Sequence, residues 1–124
     1  MRTAKIELAG KEHALCFSAR VVRACSERYG GIDHLNDHLS GDSVEKNLDE
    51  AIWLIAQMMD AGARYAKLSG MENPPAPTEE ELYDLFGMDD FAGLRGKIAE
   101  TITNGGSSTV EAAPPKNVKA TPEN

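Results

Sequence analysis

The sequence predicts an α+β domain that is mainly α. An N-terminal β-hairpin is followed by about five helices around a buried central helix, and then by a disordered C-terminal tail. Three observations carry this. Residues 5–17 alternate apolar and polar positions around a glycine. Residues 51–59, Ala-Ile-Trp-Leu-Ile-Ala-Gln-Met-Met, are apolar on nearly every helical face, so that helix must be enclosed by its own domain or by a partner. Residues 105–124 hold no aromatics, three prolines and many small polar residues, too little apolar surface to offset the entropy of ordering. Residues 1–104 are therefore expected to be a single domain and residues 105–124 a disordered tail.

In the hairpin, Ile6 and Leu8 alternate with polar neighbours, and His13, Leu15 and Phe17 share a face of the second strand, with a Gly10-Lys11 turn between. Ser18 is the expected N-cap of a helix over Ala19–Tyr29 with the inward stripe Val21, Val22, Cys25 and Tyr29, stopped by Gly30-Gly31. A short helix follows on Ile32, Leu35 and Leu39. Asp42-x-x-Glu45 is the expected cap of the central helix, which runs through Val44, Leu48, Ile52, Ile55 and Met59 to about Ser69, with Gly70 as its stop. Asn73-Pro-Pro-Ala-Pro77 is a stiff connector. Thr78-Glu-Glu-Glu81 is a capping box opening a short helix on Leu82, Leu85 and Phe86, closed by Gly87. Asp89 or Asp90 caps a last helix with the stripe Phe91, Leu94, Ile98 and Ile102, ending at Asn104-Gly105.

Composition narrows the function. A net charge of −7 in 124 residues argues against nonspecific nucleic-acid binding. Arg20, Arg23 and Arg28 read as a solvated helix face. Charged residues interrupt the apolar run before it reaches membrane-spanning length, and Met-Arg-Thr-Ala-Lys has no apolar core of a secretory signal, so cytoplasm is expected. Cys16 and Cys25, the only cysteines, match no common zinc spacing and are expected as buried thiols. His34 and His38 share a helix face but lack a third ligand, and His13 is expected near the surface. No GxSxG or phosphate-binding loop is present, and Gly93 and Gly96 are expected to allow close helix packing. No catalytic residue, cofactor or metal is therefore expected. The stretch from Glu79 to Asp90 has no Lys or Arg. Its carboxylates Glu79, Glu80, Glu81, Asp84, Asp89 and Asp90 favour helix N-termini and form the candidate surface for a basic partner segment.

The hairpin Lys5–Phe17, the helix Ser18-Ala-Arg-Val-Val-Arg-Ala-Cys-Ser-Glu-Arg-Tyr-Gly30, the core Leu48-Asp-Glu-Ala-Ile-Trp-Leu-Ile-Ala-Gln-Met-Met-Asp-Ala-Gly62, Asn73-Pro-Pro and Glu81-Leu-Tyr-Asp84 together resemble a phage tail assembly chaperone. The resemblance is to the versions in long-tailed (siphovirus-type) phages and prophages of Gram-positive bacteria, and it covers residues 4–104. It implies a nonenzymatic role. Such proteins bind the tape measure protein in the bacterial host's cytoplasm, keep it soluble while tail tube protein is recruited, and are absent from the mature virion. Many are also made in a longer, frameshifted form, and the tail from Gly105 is where that extension would begin. Self-association is expected, through the hairpin or the apolar central helix. Two alternatives compete with the chaperone. One is a small acidic regulatory or adaptor protein that binds a basic host or phage protein; the other is a metal-dependent enzyme built on His34 and His38.

Overall fold

The computed structural model describes residues 2–106. The expected disorder of the tail falls, beyond Gly106, outside the described residues. Strand β1 (Thr3–Leu8) and β2 (Lys11–Cys16) form an antiparallel two-stranded sheet, followed by α1 (Ala19–Tyr29), α2 (Leu35–Leu39), α3 (Val44–Leu68), α4 (Glu79–Leu85) and α5 (Phe91–Gly105). Single 3-10 turns, Ile32–His34 and Met88–Asp90, lead into α2 and α5. This is the α+β, mainly α architecture the sequence predicts. No helix among the described residues is long and apolar enough to cross a membrane.

The hairpin turns on Ala9-Gly10, one residue earlier than expected. Both have positive φ, 52° and 77°, as a two-residue hairpin turn demands. Leu8 faces Lys11 across it, and the register continues as Glu7–Glu12, Ile6–His13, Lys5–Ala14, Ala4–Leu15 and Thr3–Cys16. In such a hairpin the pair beside the turn exchanges main-chain hydrogen bonds, and bonded and non-bonded pairs then alternate. Thr3, Lys5 and Glu7 therefore aim their N–H and C=O groups away from β2, as Glu12, Ala14 and Cys16 aim theirs away from β1. Two side chains meet these outward groups. Asn104 Nδ2 donates to the Thr3 carbonyl at 2.9 Å, and the Ala14 N–H donates to Asn73 Oδ1 at 2.8 Å.

α3 is the axis of the core. Ala51, Ile52, Leu54, Ile55, Ala56, Met58 and Met59 are buried, and only Trp53 and Gln57 of that run are partly exposed. The hairpin and the other helices pack around it, so the segment that demanded cover finds it within its own chain. Ser43, not Asp42, caps α3, its hydroxyl accepting the Lys46 N–H. Val44, expected on the inward stripe, is 55% exposed in the first turn. Gly62 meets the Ala14 carbonyl so closely that a Cβ would overlap it. By contrast Gly93 and Gly96 have nothing packed over them, so close helix approach occurs at Gly62 and not at that pair.

At the start of α1, Ser18 occupies the N-cap position without a side-chain cap bond, and Gly30 ends the helix at φ 79°. α1 is tied to α3 by more than its apolar stripe. Arg28 Nε donates to Glu50 Oε1 at 2.8 Å, the Tyr29 hydroxyl donates to the same carboxylate at 2.7 Å, and the Arg28 guanidinium lies 4.4 Å from the Trp53 ring centre. Arg28 is thus exposed, as expected of a solvated helix face, and from there it also pairs with Glu50 and lies over Trp53. Cys16 and Cys25 are buried free thiols. α5 ends at Gly105, so the first residue assigned to the tail is helical, and Gly105 packs against Phe17.

Candidate functional site

α4 is positioned by its cap. The Thr78 hydroxyl accepts the Glu81 N–H, and Glu81 Oε1 accepts the Thr78 N–H at 2.8 Å, closing the predicted capping box. Its one buried residue, Leu82, anchors it to the core. Tyr83 binds it to α3, the hydroxyl donating to Asp49 Oδ1 at 2.7 Å. That hydrogen bond is the main reason the Tyr83 hydroxyl is pushed up to about 12, with partial burial and the charges of Asp49, Glu79 and Glu80 adding to it.

Between α4, the proline connector and the hairpin tip lies an open groove of about 500 Å³. Its apolar lining comes from Leu8 and Ala9 at the tip, Pro74, Pro75, Ala76 and Pro77 in the connector, and Leu85 on α4. Leu85, expected on the inward stripe, is 42% exposed because a seven-residue helix anchored at Leu82 turns it toward the groove. Polar groups rim the floor: Lys11 and His13 from β2, Glu81 and Asp84 from α4. The fixed φ of the prolines keeps the connector wall in place without secondary structure, and Asn73 pins that wall to β2.

His13 departs from expectation, being 4% exposed where the sequence places it near the surface. Residue 13 stands opposite Ile6 on the core side of the sheet, a placement decided by register and not by polarity. Burial, and secondarily Lys11, hold its pKa below the ordinary value, so the ring is neutral at neutral pH. Its Nδ1 is buried without a hydrogen-bond partner among the described residues.

The six predicted carboxylates do not form one patch. Glu81 and Asp84 face the groove; Glu79 and Glu80 bear on Tyr83; Asp89 and Asp90 belong to the turn before α5. Glu81 and Asp90 also serve the backbone: Asp90 occupies the N-cap position of α5, as expected, while its side chain accepts the Gly87 N–H at 2.7 Å and makes no cap bond to α5. Met88 stands in that same turn, 73% exposed, adding apolar surface beside the acidic groups.

A second open groove, about 530 Å³, separates α2 from α5 and is lined by Ile32, Leu35, Leu39, Ile98 and Ile102 over Gly96. His34 and His38 do not converge. His34 Nδ1 sits 4.0 Å from Asp37, and the His38 ring packs 4.5 Å from Tyr29. No group of three or more His, Cys, Asp or Glu side chains able to hold a metal ion occurs among the described residues.

The arrangement can bind an apolar segment and place carboxylates beside its basic residues. Composition anticipated the acidic groups of α4. It did not anticipate the groove, whose hairpin and connector walls lie more than 60 positions apart and are joined by the Asn73–Ala14 bond. Comparisons with protein-family models, curated proteins and solved structures found no match for this chain.

Proposed function

We propose that this chain is a nonenzymatic tail assembly chaperone that binds the tape measure protein, keeps it soluble and helps recruit tail tube protein. The observation that carries the reading furthest is the apolar groove beside α4, with Glu81 and Asp84 on its rim. An amphipathic client helix laid there buries its apolar face, in the helix-in-groove manner, while its basic residues meet the carboxylates. The exposed apolar groups Leu85 and Met88, on or beside that surface, supply area that a client would remove from water. The resemblance of residues 4–104 to this family supports the same reading. In this proposal the work is done in the bacterial host's cytoplasm, and the protein does not enter the mature virion.

Co-expression with a tape measure protein tests it. The client is expected in the soluble fraction with this chain, co-purifying with it, and insoluble without it. Equal solubility in both cultures contradicts the chaperone reading and leaves an acidic adaptor as the better account.

A further inference from the structure

Of the hairpin's two edges, β2's is occupied at its middle: the Ala14 N–H is taken by Asn73, and the Ala14 carbonyl lies against Gly62. Among the described residues β1's is capped by a side chain only at its start, where Asn104 reaches the Thr3 carbonyl. The outward N–H and C=O groups of Lys5 and Glu7 have no partner strand, since the sheet among the described residues stops at β1. An open edge of this kind is a template for another strand.

The side chains flanking that edge select the partner. Glu7 stands directly opposite Glu12, a like-charge pair that weakens the hairpin. Lys5 reaches Glu12 at 3.6 Å, with the two side chains 61% and 65% exposed, and so serves one of the two glutamates. We propose that two copies of this chain pair antiparallel through their β1 edges, each Lys5 opposite the second copy's Glu7 and the two Ile6 residues facing each other on the axis.

Parity and charge together single out this register. Lys5 and Glu7 both point outward, so they meet as the hydrogen-bonded pairs of a new ladder, while Ile6, whose main-chain groups already serve His13, falls on the non-bonded position. Sliding one pair toward the chain start places Lys5 on Lys5; sliding the other way places Glu7 on Glu7; an in-register parallel arrangement does both. Only the register centred on Ile6 pairs opposite charges, and Asn104 at Thr3 blocks extension past the strand's start. In the resulting four-stranded sheet each lysine lies between its own Glu12 and the second copy's Glu7. The proposal goes beyond the client reading and does not depend on it: it uses the outer edge of β1, whereas the groove lies at the hairpin tip beside β2 and the connector.

Sedimentation or light scattering of the full chain, up to ~100 µM, tests it with wild type, Lys5→Glu and Glu7→Lys. Wild type is expected to dimerise. Each single reversal makes two like-charge pairs and weakens the dimer roughly tenfold or more. An equimolar mixture of the two variants restores it, because in the mixed dimer one copy is acidic at both positions and the other basic at both, so every cross-strand pair again joins opposite charges. Both positions are exposed, and a far-UV melt of each variant confirms that it folds. A monomeric wild type over the whole range, or a mixture that associates no better than its components, overturns the proposal.

Discussion

Gly62 is where a single carbon matters most, because its Cα rests on the Ala14 carbonyl. Gly62→Ala must push α3 off β2 and is expected to lower stability by about 2 kcal/mol in urea unfolding, the usual scale for forced overpacking. Gly96→Ala, on an open helix surface, is expected to be neutral or to stabilise by up to about 1 kcal/mol through helix propensity. Equal effects at the two positions would contradict the packing described. Glu50 supplies a pH test. Burial raises its pKa, but the hydrogen bonds from Arg28 and Tyr29 outweigh burial and leave it below the ordinary 4.5. A carboxylate depressed by folding contributes stability above its unfolded value and loses it as pH falls through the folded one. Melting temperature should therefore drop on acidification below pH 4.5, and Glu50→Gln should flatten that step; parallel curves would count against the network. Burial raises the Cys16 thiol and, against the opposing charge of Arg28, pushes Cys25 up to about 11. Native protein should resist iodoacetamide at neutral pH and take two labels once unfolded.

Among the elements, α4 depends most on its ends, since Leu82 is its only buried residue. Thr78→Ala removes the capping box and is expected to cost about 1 kcal/mol. Hydrogen exchange should show the loss concentrated in 79–85; uniform loss across the chain would mean that α4 is held by other contacts. The elements themselves were largely legible. Helix starts at Ser18 and Thr78, the Gly30 stop, and the 3.6-residue stripes of α3 and α5 follow from local chemistry that the chain carries with it. The misplacements have local causes. Ala9 adopts positive φ where sequence favours glycine, moving the turn by one residue. Ser43 competes with Asp42 for the same cap and wins by one position. His13 is polar, yet register carries it inward.

At the scale of the whole molecule, the site was less legible than the fold. Carboxylate clustering pointed to α4, but the groove needs the tip, the connector and α4 at once, and no local pattern encodes that meeting. Arg28 is exposed as its sequence reads, but its partners Glu50 and Trp53 come from another helix and no local pattern names them. If apolar burial in the groove dominates client binding, affinity should weaken only modestly with salt, while reversing Glu79, Glu80 and Asp84 should slow association more than it speeds dissociation. Surface plasmon resonance at two ionic strengths reads both; a steep salt dependence of affinity would shift the account toward a purely electrostatic adaptor. The most direct test of the central claim is an amide NMR map of this chain as a helical segment of the tape measure protein is added. The account predicts shifts at residues 8–13, at the Ala76 amide in the connector and across 79–85, with 32–39 unmoved. Shifts confined to the groove between α2 and α5, or no shifts at all, would contradict it.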